Sequence, residues 1–207
     1  MTRRLRKILT ILVLGAVICP AGMAGATPIN QWASTVIGYS SHYPGMTPNE
    51  WSATQALGAP DTFSYGDYVT AWAPEPMDGS LEFITLGYTT PVHATGVTIR
   101  ETWGNGFVYQ VDVLDTNNVY HTMWTGTDPS LPGTPANFSL SWGATSYLVA
   151  GVKIYVNTDL FLDDWEEIDA VQLSGNGNQV PLPPTVLLLG SGLLGLGLLR
   201  LRRKNAA

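Results

Sequence analysis

Between Ala33 and Ser174 the chain is a succession of short runs rich in Val, Ile, Thr and aromatic residues, each cut off by Gly, Pro and Asn clusters. Such runs are too short for core helices, and their composition suits half-buried pleated strands. The spacing predicts strands over Ala33–Ser40, Leu81–Leu86, Ala94–Glu101, Phe107–Asp115, Val119–Gly126, Asn137–Leu140, Leu148–Asn157 and Glu167–Ser174. Alternation is cleanest in Val97-Thr98-Ile99-Arg100 and Val152-Lys153-Ile154-Tyr155-Val156, which implies one buried and one wetter face. Thr116-Asn117-Asn118 reads as a hairpin turn, because Asn tolerates positive φ. One segment breaks the pattern. Thr47-Pro48-Asn49-Glu50 has the form of a capping box, so a helix is expected from Pro48 to Leu57, ended by Gly58. Eight strands and one short helix predict an all-β fold, an antiparallel two-sheet β-sandwich of jelly-roll type.

The two ends do not belong to that domain. Arg3, Arg4, Arg6 and Lys7 precede an apolar run from Ile8 to Ile18, and Ala24-Gly25-Ala26 supplies small residues for cleavage. Residues 1–26 therefore read as a secretory signal peptide cut after Ala26. Cys19 is the single cysteine and lies inside it, preceded by Ile18 rather than the small residue that lipidation requires. The mature chain has no thiol, so no disulfide can staple it. At the other end, 18 uncharged residues from Leu182 to Leu199 precede Arg200, Arg202, Arg203 and Lys204. A helix of that length spans roughly 27 Å. The basic flank would keep the tail cytoplasmic and leave the domain outside.

What remains is one domain, 27–174, followed by a Gly/Asn linker, 175–179. Its charge is lopsided: Arg100 and Lys153 face all sixteen Asp and Glu, a net charge of −14. Nucleic acid is excluded as a partner, because phosphate contact requires a basic face. Divalent cations, or partners that carry them, are favoured instead.

Residues 180–204 combine Val180-Pro181-Leu182-Pro183, the Gly-rich apolar run from Leu187 to Leu196, and the basic tail Arg200–Lys204. This arrangement resembles the PEP-CTERM sorting signal of exosortase-processed bacterial proteins. The motif residues are Pro181, Leu182 and Pro183, and Leu182 departs from the pattern, which has Glu there. The resemblance implies export, temporary anchoring in the inner membrane by a transmembrane helix, and release by an exosortase-type enzyme to the envelope or extracellular matrix.

Within the domain, four stretches resemble discoidin-like, galactose-binding-type sandwiches: Trp51 to Asp61, Tyr65-Gly66-Asp67 with Ala71-Trp72, Pro91 to Thr102, and Trp165 to Val171. They also resemble the scarf domain of pappalysin-type proteins. The resemblance implies a calcium ion held after the first helix and by an acid of the last strand, which maps onto Asp61, Asp67 and Glu167. Calcium suits such hard oxygen donors. Asp159, Asp163, Asp164 and Glu166 form a second acidic run, without the loop order of a calcium hand.

No catalytic constellation stands out. His42, His93 and His121 are scattered, and no Gly-x-Ser-x-Gly elbow is present. Arg100 is expected to pair with a strand carboxylate. Trp103, Tyr65 and Trp165 lie beside predicted loops, where a sugar-binding platform would need exposed rings, although most Trp in such a domain belongs to the core. The expected function is non-catalytic binding or scaffolding, with exopolysaccharide or a surface glycan as partner. A purely structural matrix protein is the alternative, and a hydrolase stands behind both.

Overall fold

The computed structural model describes residues 27–160 and 163–177, which fall in one compact unit, Gly25–Gln179. The expected signal peptide and sorting segment lie outside the described residues. Among the described residues there are eight strands: β1 (Pro28–Trp32), β2 (Thr35–Tyr39), β3 (Leu81–Trp103), β4 (Val108–Asp115), β5 (Tyr120–Thr125), β6 (Ala136–Ser141), β7 (Val149–Asn157) and β8 (Glu167–Asn176). Every ladder is antiparallel. One sheet has the order β1-β8-β3-β6; the other has the order β2-β3-β7-β4-β5.

The 23-residue β3 belongs to both sheets. Its first part, Leu81–Gly87, pairs with β7, while His93–Trp103 pairs with β8. The register shifts between Gly87 and Val92, and Pro91 lies inside that shift, where its missing N–H removes no ladder bond. Two strands expected separately are thus one strand passing from sheet to sheet.

Alternation builds the core. Val97, Ile99, Val171 and Leu173 come from one sheet, and Ile84, Leu86, Val111, Val113, Val152, Ile154 and Val156 from the other. All are at most 2% exposed. Burial of each such side chain stabilises the fold by about 1.5–3 kcal/mol, so the sandwich stands without disulfides.

Local geometry departs from expectation at four places. β1 is an additional strand with a single β-branched residue, Ile29, and forms by docking on the edge of β8. β8 runs on to Asn176, so Gly175 and Asn176 pair with Ala94 and His93 instead of starting a linker. The helix expected over Pro48–Leu57 is a set of turns followed by a four-residue 3-10 helix, Ala53–Ala56. Half of the capping box exists, since Glu50 Oε2 accepts the N–H groups of Met46 and Thr47. The helix fails to propagate because Trp51 adopts φ +48° and gives its N–H to Val69 O. Arg100, finally, donates to Pro135 O and Asn137 Oδ1 rather than to a carboxylate. The hairpin at Asn117-Asn118 forms as expected, with Asn118 at φ +63° and Asp115 Oδ1 accepting the N–H groups of Asn117 and Val119.

Candidate functional site

The connection from β2 to β3 runs from Ser40 to Ser80 and contains only the 3-10 helix. A loop of that length stays ordered only if its backbone and large side chains find partners in the sandwich. Trp72 is the anchor. It is fully buried, exchanges backbone hydrogen bonds of 2.9 and 3.0 Å with Ile168 on β8, and donates its indole N–H to Ser41 O. Tyr43 N–H then bonds Ala73 O, and Ala73 N–H bonds Trp51 O. These bonds bring two distant parts of the loop together beside the start of β8.

The result is a cleft of about 70 Å³ lined by Tyr43, Trp51, Asp67, Ala73 and Trp165. Tyr43 stands edge-on to both tryptophans, with ring centroids 5.2 Å from Trp51 and 4.9 Å from Trp165. The Trp51 indole N–H donates to Asp67 Oδ1 at 2.7 Å and approaches Glu167 Oε1 at 3.3 Å. A bulky residue in the left-handed region is strained by on the order of 1–3 kcal/mol, and it persists only where surrounding contacts fix it. Those two indole contacts hold Trp51 together with its backbone bonds to Val69 and Ala73.

Behind the cleft, Glu167 is fully buried and also accepts the Tyr68 N–H and the Thr102 hydroxyl. Burial, reinforced by the neighbouring Asp67 carboxylate, pushes its pKa up to about 9. Glu167 is therefore protonated at neutral pH. Asp169, two residues along β8, accepts the N–H groups of Asp61 and Thr62. Burial and the adjacent Asp61 carboxyl raise its pKa as well.

The residues singled out for calcium thus separate into two carboxyl pairs, Asp67 with Glu167 and Asp61 with Asp169. Among the described residues, no group of three or more His, Cys, Asp or Glu could hold a metal ion. Asp61, Asp67 and Glu167 therefore do not come together as one calcium set. The aromatic trio divides too. Trp165 lines the cleft and donates its indole N–H to Glu75 O. Tyr65 and Trp103 pack on each other at 4.6 Å and are not among the cleft residues. Tyr43, and Trp51 from the segment expected to be helical, take their places. No sequence signal marks that pairing, because it depends on how a 41-residue connection closes on β8.

The histidines stay apart. His42 packs against Tyr39, His93 contacts Thr145 O, and His121 pairs with Asp115 at 3.0 Å. Ser40 and Ser41 both donate to Glu82 Oε2.

The fold is shared with solved structures of low sequence identity. A fragment of a Bacteroides thetaiotaomicron protein of proposed chitobiase type superposes with a TM-score of 0.56 at 13% identity, covering 74% of this chain and 95% of that one. XRCC1 bound to the DNA polymerase β catalytic domain gives 0.51 at 16% identity, covering 71% and 99%. The family 32 carbohydrate-binding module of Clostridium perfringens NanJ, in complex with galactose, gives 0.50 at 13% identity, covering 70% and 99%. No curated protein matches the chain by sequence. The family model of the C-terminal SD scarf domain of pappalysin-1 matches residues 23–182, and with most of its length inside that match the chain belongs to the scarf-domain family.

Proposed function

We propose that this chain is a non-catalytic glycan-binding module whose recognition surface is the cleft between Tyr43, Trp51 and Trp165. The observation that carries this reading is the grouping of three rings around one exposed carboxylate, Asp67. Aromatic faces stack on the apolar faces of pyranose rings, and a carboxylate accepts hydrogen bonds from sugar hydroxyls. A space of about 70 Å³ suits the edge of one terminal sugar unit better than an enclosed chain. The fold likeness to a galactose-bound module supports the reading without deciding it, because function resides in sites and not in folds.

Delivery follows from the terminal segments. The signal peptide exports the chain, the apolar C-terminal segment anchors it in the inner membrane, and an exosortase-type enzyme releases it to the envelope or to an exopolysaccharide matrix. A glycan array probed with the full chain in mild detergent tests recognition. Trp165→Ala should abolish binding to any glycan captured, whereas Trp103→Ala should leave it unchanged. An empty array would favour a matrix scaffold. Equal loss in both variants would move the site away from the cleft.

A further inference from the structure

A second cluster of acids lies outside the cleft, between the β3–β4 turn and the β5–β6 loop. Glu101 on β3 is fully buried, Asp128 is 4% exposed and Asn105 is 5% exposed. Part of their hydrogen-bonding capacity is used. Glu101 Oε2 accepts the Gly106 N–H at 3.0 Å, and Asp128 Oδ1 accepts the Ser130 N–H at 2.8 Å. Asn105 donates its side-chain amide to Leu131 O and Thr134 O, which fixes its orientation and leaves its oxygen as an acceptor. Glu101 Oε1, Asp128 Oδ2 and Asn105 Oδ1 are buried without a hydrogen-bond partner.

Three orphaned acceptors in one corner of a fold call for a positive group, since a buried acceptor left bare keeps its full desolvation penalty. Among the described residues, no side chain supplies it. Arg100, the neighbour of Glu101, is turned to Pro135 and Asn137, and Lys153 lies over the rings of Phe83 and Tyr155. Burial, and after it the facing carboxyl of Asp128, raises Glu101 to about 10 against the opposing hydrogen bonds of Gly106 and Ser130. A single proton could bridge that pair but would leave Asn105 Oδ1 unserved. A hard divalent cation could serve all three oxygens together with nearby backbone carbonyls, the donor set that calcium prefers. The backbone is tightened around the cluster: Gly106 has φ +100°, and a Cβ there would lie 2.7 Å from Ser130 O.

We propose that Glu101, Asp128 and Asn105 form a divalent-cation site of the calcium class, which clasps the β3–β4 turn to the β5–β6 loop. This site is independent of the glycan reading and shares none of the cleft residues.

The test uses the full chain in mild detergent, stripped with chelator and titrated with calcium chloride, with sodium chloride at matched ionic strength as control. Calorimetry should show one site, and saturation at a hundredfold excess over Kd should raise the melting midpoint by about 5–11 °C beyond the salt control. Terbium should bind competitively with calcium and luminesce through Trp103, two residues from Asn105. Asp128→Asn should weaken calcium binding at least tenfold, while Asp67→Asn should leave it unchanged. Should Asp128→Asn fail to fold, the wild-type protein still decides. Binding at pH 7 should release about one proton, read from calorimetric heats in buffers of different ionisation enthalpy. Absence of any calcium effect beyond sodium would mean that the pair holds a proton only, and the site would be overturned. A response abolished by Asp67→Asn would also overturn it.

Discussion

Glu167→Gln isolates what a buried acid costs this domain. Glu167 has a folded-state pKa of about 9 against an ordinary 4.5. Below pH 4.5 the group is protonated in folded and unfolded chains alike, and its favourable contribution is complete. As pH rises, the unfolded chain releases the proton while the folded chain retains it. Stability therefore falls by about 1.4 kcal/mol per pH unit, and the loss continues until pH 9. Over the 2.5 units to pH 7 the loss is about 3 kcal/mol, a large share of the 5–15 kcal/mol that typically holds a domain folded. Glutamine keeps the neutral shape: its oxygen can accept the Tyr68 N–H and its amide can donate toward Asp67. The variant should match the wild type near pH 4.5 and exceed it by about 3 kcal/mol at pH 7. Urea unfolding at intervals from pH 4.5 to 8.5, in chelator, measures the difference. Glu101 and Asp169 add slopes of their own to both proteins, so only the difference between the two curves belongs to Glu167. Parallel curves would refute the claim that Glu167 is held protonated.

Three further outcomes are expected. Gly175→Ala should destabilise the domain by about 1–3 kcal/mol in thermal unfolding, because a Cβ there would lie 2.5 Å from Val92 Cγ2 and 2.8 Å from His93 O. Thr47→Ala should change the melting midpoint by less than about 0.5 kcal/mol equivalent, whereas Glu50→Ala should cost about 0.5–2 kcal/mol by removing the acceptor for two N–H groups. Mass spectrometry of the exported protein should find its first residue at Thr27 and its last between Pro181 and Thr185; a mature chain retaining Arg202 and Arg203 would refute processing at the sorting segment.

The strands were legible wherever side chains alternate between core and solvent. Val152–Val156 and Val97–Arg100 carry that period in composition alone. The union of two predicted strands in β3 was not legible, because Thr89-Thr90-Pro91 has the composition of a turn; only the register shift at Gly87 to Val92 makes it the crossing between sheets. The misread helix has a similar cause. Thr47-Pro48-Asn49-Glu50 is locally sound, and Glu50 does fold back on the preceding N–H groups, but long-range bonds of Trp51, from its N–H to Val69 and from its indole to Asp67, accompany a positive φ that ends the helix. Of the site, Trp165 and the acids were visible as residue types beside loops. Their pairing was not, since Asp67 meets Glu167 and Asp61 meets Asp169 across about a hundred residues of chain. The orphaned oxygens of Glu101, Asp128 and Asn105 are a property of packing, which no spacing in the sequence encodes.

The pairing of β1 with β8 also determines how the domain bears load. Pro28 lies opposite Asn176, and Trp32 opposite Gln172, so the two ends of the sandwich emerge side by side. Tension applied between those ends acts across the ladder and opens its bonds one after another, as a zip is opened, beginning at Pro28 and Asn176. Tension on the C-terminal end alone, borne by whatever grips the far side, pulls along β8 instead. It must then shear the β3 and β1 ladders together, so that many bonds resist at once. The same sandwich is thus weak when pulled by both of its ends and strong when it hangs from one of them.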